Sequence, residues 1–257
     1  MQSKTKAPFG WVGGKSKLAK DIVTLMPEHR RYIEVFGGSL SVLYAKPKAT
    51  GAGIEIVNDI NSELINLHRA IRNYPDTLSI YLNQLLTSRE IFADIKNKRL
   101  KPKNKIERAA FYFYLLSQSF GSKGSHFAMS KSRKPKNIYR DFTQLSKRLK
   151  GVSIENMSFE KLIATYDKED SFFYCDPPYV GTESYYDHTD GFGIKEHKQL
   201  ATILSSIKGK FLVSYNDCDT IRDPYDDFKI IQTKEIGYSL AGVKRQKRVK
   251  EVFITNY

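Results

Sequence analysis

The stretch Phe172-Phe173-Tyr174-Cys175-Asp176-Pro177-Pro178-Tyr179 runs four apolar or aromatic residues into a carboxylate, two prolines and a tyrosine. Its first half reads as a strand buried on both faces. The prolines end that strand, because neither can donate to a sheet ladder and each fixes its own φ. An acid at the tip of a buried strand, followed by a rigid bend and an aromatic ring, presents chemistry rather than filling a core. In an open α/β sheet ligands bind at that place, just outside the carboxyl ends of the strands. The plainer alternative is a strand followed by a Pro-Pro turn with an exposed aspartate.

Three other segments have a related form. Tyr32-Ile33-Glu34-Val35-Phe36-Gly37-Gly38-Ser39 leads apolar residues into paired glycines, and Leu40, Val42, Leu43 and Ala45 follow at helical spacing. Strand, tight turn and helix are expected, with glycines that let a ligand approach backbone N–H groups at a helix N-terminus. Ile54-Glu55-Ile56-Val57-Asn58-Asp59 reads as a second strand ending in an acid. Asp59 stands about 20 residues after the glycines, the offset at which nucleotide-binding α/β folds place a carboxylate on ribose hydroxyls. Helix capping is the competing role, since Ile60, Leu64, Ile65, Leu67 and Ile71 form a helical face behind it. The offset favours ribose, and hence a ligand that carries a nucleoside. Phe211-Leu212-Val213-Ser214-Tyr215-Asn216-Asp217 is a further buried strand with a polar tip, and Glu251 to Tyr257 is strand-like.

Near the start, Pro8-Phe9-Gly10-Trp11-Val12-Gly13-Gly14-Lys15-Ser16 ends like a phosphate-binding P-loop. The spacing excludes one, because the first glycine of that motif would have to stand at Phe9, and no strand-like run precedes it. What remains is a glycine turn with one aromatic and one cation. It could clasp a ligand with a flat end and a carboxylate, or simply cap a helix over about Ser16 to Met26.

From about Asn73 to Lys168 helical patterns dominate, as in Leu78 to Leu86 and Ile106 to Leu116. Basic runs interrupt them: Lys96 to Lys105, then Gly121-Ser122-Lys123-Gly124-Ser125-His126-Phe127, continuing through Lys131, Arg133, Lys134 and Lys136. Such runs are commonly solvated surface. Placed in an insertion between strand-acid elements, with Gly, His and Phe interleaved, they suit a loop entering a DNA groove. His126 has no second His or acid at ligand spacing, so it reads as a polar loop residue. A second basic bend carries Lys244, Arg245 and Arg248.

The chain of 257 residues holds 42 Lys plus Arg against 28 Asp plus Glu, a net charge of +14. That charge points to a polyanionic partner, and sixteen Tyr and fifteen Phe favour nucleic acid by offering stacking surfaces. Cys175 and Cys218 form no metal-spaced pair, which fits a reducing compartment and argues against a cysteine zinc site. No signal-peptide pattern opens the sequence, and no run approaches the roughly 18 apolar residues of a membrane span. A cytoplasmic location is expected, in a bacterial cell or a phage-infected host, with no membrane partner.

Taken in order, Trp11-Val12-Gly13-Gly14-Lys15, Glu34-Val35-Phe36-Gly37-Gly38, Asn58-Asp59-Ile60-Asn61, Asp176-Pro177-Pro178-Tyr179 and Ser214-Tyr215-Asn216-Asp217 resemble the Dam-like adenine-N6 DNA methyltransferases that use S-adenosylmethionine. The resemblance spans nearly the whole chain. It implies a Rossmann-like methyltransferase sheet of the α/β class, mostly parallel with an antiparallel C-terminal strand, and a mainly helical inserted target-recognition domain. Residues 1–72 and 158–257 would form the catalytic domain and residues 73–157 the insertion. By the same resemblance Trp11, Lys15, Glu34, Phe36, Gly37, Gly38, Asp59 and Asp176 would contact S-adenosylmethionine. Asp176, Pro177, Pro178 and Tyr179 would be catalytic, with Asp176 and the Pro177 carbonyl accepting hydrogen bonds from the target amine and Tyr179 stacking on a flipped base. Lys123, Ser125, His126, Lys131, Arg133, Lys134, Lys244, Arg245 and Arg248 would meet double-stranded DNA. No metal is implied, and a cognate restriction endonuclease is a candidate partner.

Two departures from the family stand out. Leu40 replaces a further glycine, so a somewhat different cofactor turn is expected. The segment from Gly121 to Phe127 does not copy the loop of members specific for GATC. Alternatives are an adenine methyltransferase acting on RNA and a catalytically inactive DNA-binding relative. The second would have no need to keep Lys15, Asp59 and Asp176 together. A protein-glutamine methyltransferase would more naturally begin its motif with Asn.

Overall fold

A computed structural model describes residues 5–128, 138–183, 191–233, 236–238 and 247–257. In chain order its elements are α1 (Ala19–Leu25), β1 (Arg31–Glu34), α2 (Ser41–Ala45), β2 (Ile54–Asn58), α3 (Ser62–Asn73), α4 (Pro75–Asn83), α5 (Arg89–Lys96), α6 (Lys105–Gln118) and α7 (Thr143–Leu149). They continue with β3 (Val152–Glu155), α8 (Phe159–Tyr166), β4 (Ser171–Cys175), α9 (Ile194–Ser205), β5 (Lys210–Asn216), α10 (Asp219–Arg222), β6 (Lys229–Gln232), β7 (Ile236–Tyr238), β8 (Lys247–Val249) and β9 (Glu251–Thr255). Seven strands form one sheet in the order β3-β2-β1-β4-β5-β9-β6, and β7 pairs with β8 separately. β1, β2, β4 and β5 run parallel, while β9 is antiparallel to both β5 and β6. This is the mostly parallel α/β sheet with an antiparallel C-terminal strand that the sequence implies.

The chain divides into two compact units. One comprises Met1–Ala19, Gly38–Lys48 and Ser62–Ile154; the other comprises Lys20–Gly37, Ala49–Asn61 and Glu155–Tyr257. In the second unit the period-2 alternation of the strands sorts two very different faces. One face collects Ile33, Val35, Ile56, Phe173, Cys175, Phe211, Val213, Tyr215, Val252 and Ile254, which pack with Phe159, Leu162 and Ile163 of α8 and Leu200, Ala201 and Leu204 of α9. The register puts Tyr32, Glu34, Glu55, Tyr174, Ser214 and Glu251 on the other, and every one of them is buried. Val57, Phe172, Leu212 and Phe253 share that face, so its polar groups sit among apolar ones and need hydrogen-bond partners, since an unpaired polar group out of water costs about 1–3 kcal/mol. Those partners make the site.

The first unit is helical, as the patterns from Asn73 onward predict. Helices α5 and α6 start where short polar side chains cap them: Ser88 accepts from the N–H groups of Glu90 and Ile91, and Asn104 accepts from those of Ile106 and Glu107. Phe92, Ile95, Phe111, Tyr114 and Ile138 form one of its cores. The Tyr114 hydroxyl donates to the Leu86 carbonyl at 2.9 Å, tying the α4–α5 connection to α6.

Two expected boundaries move. The helix expected from about Ser16 begins at Ala19, after a turn in which the Lys15 carbonyl accepts from both Leu18 and Ala19 N–H. The helix expected over Leu78 to Leu86 is α4, which starts three residues earlier with Pro75 in its first turn and ends at Asn83.

Candidate active site

In the second unit the chain runs from β1 to β2 on one side and later to β4 on the other, so the strand order reverses between β1 and β4. Ligands bind outside the carboxyl ends of strands at such a switch point. Gly37, Asp59, Asp176 and Asn216 all follow or end parallel strands at this edge. The Gly37 N–H donates to the Asn58 carbonyl at 2.7 Å. Asn58 is buried and its Nδ2 donates to the carbonyls of Val35 and Met157, both at 3.0 Å. These bonds fix where the chain leaves β1 and β2.

Asp176 lies one residue beyond β4 and is half-buried, while Pro177 and Pro178 are buried. Its Oδ1 accepts from the Ser214 hydroxyl at 2.9 Å. Ser214 also lies 3.3 Å from the Tyr174 hydroxyl. One hydroxyl has one proton, and the carboxylate is the stronger acceptor, so Ser214 donates to Asp176 and Tyr174 donates to Ser214. Burial, with the Asp176 charge adding to it, raises the Tyr174 pKa well above its ordinary value, which keeps that phenol a donor. A two-step chain thus leads from the buried sheet face to the strand-tip acid.

Tyr179 is anchored in the same manner. Its hydroxyl donates to Glu251 Oε2 at 2.7 Å, and its ring lies 6.2 Å from that of Tyr215 at a 40° tilt. Its carbonyl accepts from both the backbone N–H and the hydroxyl of Thr182, and Asn216 Nδ2 donates to the Val180 carbonyl at 3.3 Å. The Asp-Pro-Pro-Tyr loop is therefore pinned at both ends. In the sequence Ser214 is one polar residue within a buried strand and Glu251 the first residue of another. Their places opposite Asp176 and Tyr179 come from sheet register.

Glu34 is buried and its Oε2 accepts from the Tyr32 hydroxyl at 2.7 Å. Burial first, and Glu34 second, raise the Tyr32 pKa well above its ordinary value. Asp59 Oδ1 accepts from the Asn61 N–H at 2.9 Å, an Asx turn leading into α3. The capping role is thus present in part. Phe36 sits against Phe159 and Phe192, both at 5.8 Å between ring centres.

In the first unit, Gly38 has φ +50, and a Cβ there would lie 2.8 Å from both Cδ1 and Nε1 of Trp11. Only glycine permits that approach of the indole. Leu40, where the resemblance leads one to expect another glycine, adopts the left-handed region at φ 58, ψ 35 and is buried. A left-handed leucine costs about 1–2 kcal/mol, offset here by burying its side chain. Lys15 is buried and its Nζ donates to the Gly13 carbonyl at 2.9 Å.

Also in the first unit, residues 119–127 fold back as a small hairpin. Phe120 N–H donates to the His126 carbonyl at 2.8 Å, and Gly124 N–H to Ser119 Oγ at 2.7 Å. α5 holds it through Lys96 Nζ on the Ser125 carbonyl at 2.7 Å and through Arg89, 5.3 Å from the Phe127 ring centre. His126 is exposed, and Lys123 and Ser125 are half-buried. Lys131, Arg133, Lys134, Lys244 and Arg245 lie outside the described residues, and Arg248 is on β8. Among the described residues no group of three or more His, Cys, Asp or Glu could hold a metal ion, and no helix is long and apolar enough to cross a membrane.

Comparison with known proteins agrees with this geometry. The family described as D12 class N6 adenine-specific DNA methyltransferase matches residues 11–237. The Type II methyltransferase M1.LlaDCHI of Lactococcus lactis subsp. cremoris is 30% identical over 96% of this chain and 94% of its own length. The Retron Ec67 DNA adenine methylase of Escherichia coli is 27% identical over 85% of this chain and 80% of its own. The DNA adenine methylase of Escherichia coli strain K12 is 23% identical over 88% and 86%.

Proposed function

Because the chain belongs to the D12 class N6 adenine-specific DNA methyltransferases, and is a DNA adenine methyltransferase, we propose that its methyl donor is S-adenosylmethionine and that Asp176 to Tyr179 receive an adenine turned out of the duplex. The observation that carries this reading is the Asp176 carboxylate, fixed by Ser214 at the carboxyl edge beside the switch point. The residues suit the donor: Asp59, at the tip of β2, offers a carboxylate to ribose hydroxyls, and the Gly37 turn leaves β1 beside it. When bound, S-adenosylmethionine supplies an electrophilic methyl group on a sulfonium. Trp11, Lys15, Glu34, Phe36 and Gly38 are proposed as further contacts to it.

The exocyclic nitrogen of adenine is a weak nucleophile, because its lone pair is delocalised into the ring. Asp176 and the Pro177 carbonyl accept hydrogen bonds from its two N–H groups, restore electron density and aim the lone pair; once methylated, the nitrogen is cationic and acidic and gives up one proton to the Asp176 carboxylate. Ser214 keeps the carboxylate in one orientation, so little reorganisation is needed at the moment of attack. Asp176 acts by positioning and polarisation. An ordinary carboxylate is too weak a base to deprotonate a neutral aromatic amine beforehand. Tyr179, its hydroxyl held by Glu251, presents a ring on which the extruded base stacks.

DNA contacts are assigned to Lys123, Ser125 and His126 on the 119–127 hairpin and to the basic residues Lys131, Arg133, Lys134, Lys244, Arg245 and Arg248, with residues 73–157 as the target-recognition domain. Relatives named as DNA adenine methylases favour DNA over RNA as the substrate. The test is transfer of label from methyl-labelled S-adenosylmethionine to unmethylated duplex DNA, followed by nucleoside analysis. Label in N6-methyladenine is expected. Label confined to cytosine, RNA or protein would overturn the reading.

A further inference from the structure

His68 lies on the buried side of α3 and is 1% exposed, although the reaction outlined above gives it no part. Its Nε2 is 2.8 Å from the carbonyl oxygen of Gly38. A carbonyl only accepts, so the proton is on Nε2 and the ring is the neutral Nε2–H tautomer. Nδ1 is buried and has no hydrogen-bond partner among the described residues. Burial lowers the imidazole pKa to about 4, so the ring is neutral at physiological pH.

The same ring stacks on Phe9, with centroids 5.8 Å apart and planes at 29°. Phe9 in turn meets Trp11 edge-on at 6.1 Å and Phe113 of α6 edge-on at 6.2 Å. Trp11 closes the circuit, because its indole lies against Gly38 so tightly that a Cβ could not be accommodated. One side chain therefore grips the glycine turn by its carbonyl and, through Phe9, backs the indole that covers that turn. All of these residues belong to one compact unit.

We propose that His68 is a positioning residue for the methyl donor, presetting the Trp11–Gly38 contact against which S-adenosylmethionine binds. The inference rests on the reading that Trp11 and Gly38 touch the donor. His68 itself acts through them, as a fixed N–H donor and a flat packing surface. Its loss lets the turn and the indole drift, which weakens donor binding without disturbing Asp176.

Trp11 is the single tryptophan of the chain, so its emission reports this cluster directly. The experiment titrates the full chain with S-adenosylmethionine while following tryptophan fluorescence, and measures kcat and KM on duplex DNA. His68→Phe keeps a flat ring for Phe9 but has no donor, whereas His68→Gln keeps an N–H donor without the ring. His68→Phe should shift the emission of the free enzyme and raise Kd and KM for the donor about fivefold, the scale of one buried hydrogen bond, with KM for DNA unchanged. Its kcat should stay within about twofold of wild type, and His68→Gln should recover most of the donor affinity. A merely structural role would instead lower the active fraction and leave KM alone. Wild-type KM for the donor in His68→Phe, or His68→Gln binding as weakly as His68→Phe, would overturn the inference. A wild-type protein that does not bind S-adenosylmethionine at all would overturn the cofactor reading itself. If His68→Phe does not fold, His68→Leu carries the same expectation.

Discussion

Replacing Ser214 by Ala removes a single oxygen from a fully buried position and leaves no space large enough to collapse. Its effects follow from two hydrogen bonds. The bond to Asp176 Oδ1, 2.9 Å long, is made to a charge, a class worth about 1.5–3 kcal/mol. Asp176 is only half-buried, so water replaces part of what is lost, and about 1–2 kcal/mol remains. If that stabilisation is felt when the amine attacks, kcat should fall about 5- to 30-fold. Binding of the methyl donor should be nearly unchanged. The second bond, from the Tyr174 hydroxyl at 3.3 Å, matters for folding: Tyr174 is buried, and losing its acceptor should cost about 1–2 kcal/mol of stability. Activity and stability separate in the double variant. Ser214→Ala with Tyr174→Phe should regain most of the stability in urea melts, because no buried hydroxyl is left unmatched, yet stay as slow as Ser214→Ala alone. Kinetics measured well below the melting transition, alongside the melts, give both quantities. Wild-type kcat in folded Ser214→Ala, or rescue of kcat by Tyr174→Phe, would refute the claim that Ser214 orients the catalytic carboxylate.

Asp176→Ala should abolish turnover while largely sparing donor binding, and Asp59→Ala should weaken donor binding; calorimetric titration beside a methylation assay distinguishes the two, and an active Asp176→Ala would exclude the mechanism. DNA affinity should fall steeply as salt rises, since lysine and arginine contacts to phosphate release counterions; a flat response in a filter-binding series would remove the basic segments from the DNA surface. The His68 pKa, about 4 in the folded protein against an ordinary 6.5, means the unfolded chain takes up its proton first as pH falls. This imidazole should therefore withdraw stability between about pH 6.5 and 4, up to about 3 kcal/mol, with none of that loss above the window. Urea melts of wild type minus those of His68→Phe isolate the contribution, and a difference independent of pH would contradict it.

The strand tips were legible because each joins a hydrophobic run to a residue that ends it: Gly37 after β1, Asp59 after β2, Asp176 before two prolines, Asn216 at the end of β5. That pattern is local, so periodicity reveals it. The supports of the site are not local. Ser214 reaches Asp176, and Glu251 reaches Tyr179, because β4, β5 and β9 are neighbours in a particular register. One polar residue in an otherwise apolar strand gives no sign of which acid it will meet. A usable signal did exist, since Ser214 and Glu251 break runs that alternation makes buried, and buried polar groups require partners. His68 offered a similar cue, falling between Leu64, Leu67 and Ile71 on the apolar face of α3.

β9 enters the sheet between β5 and β6, and its first residue is the Glu251 that holds Tyr179. The motif loop is thus synthesised well before its anchor. While the chain is still growing, β1, β2, β4 and β5 can pair in parallel, but the Tyr179 hydroxyl lacks Glu251 until the chain has been made through Thr255 and β9 has slotted in. A partly made chain would carry every residue of the motif and still lack the hand that steadies it.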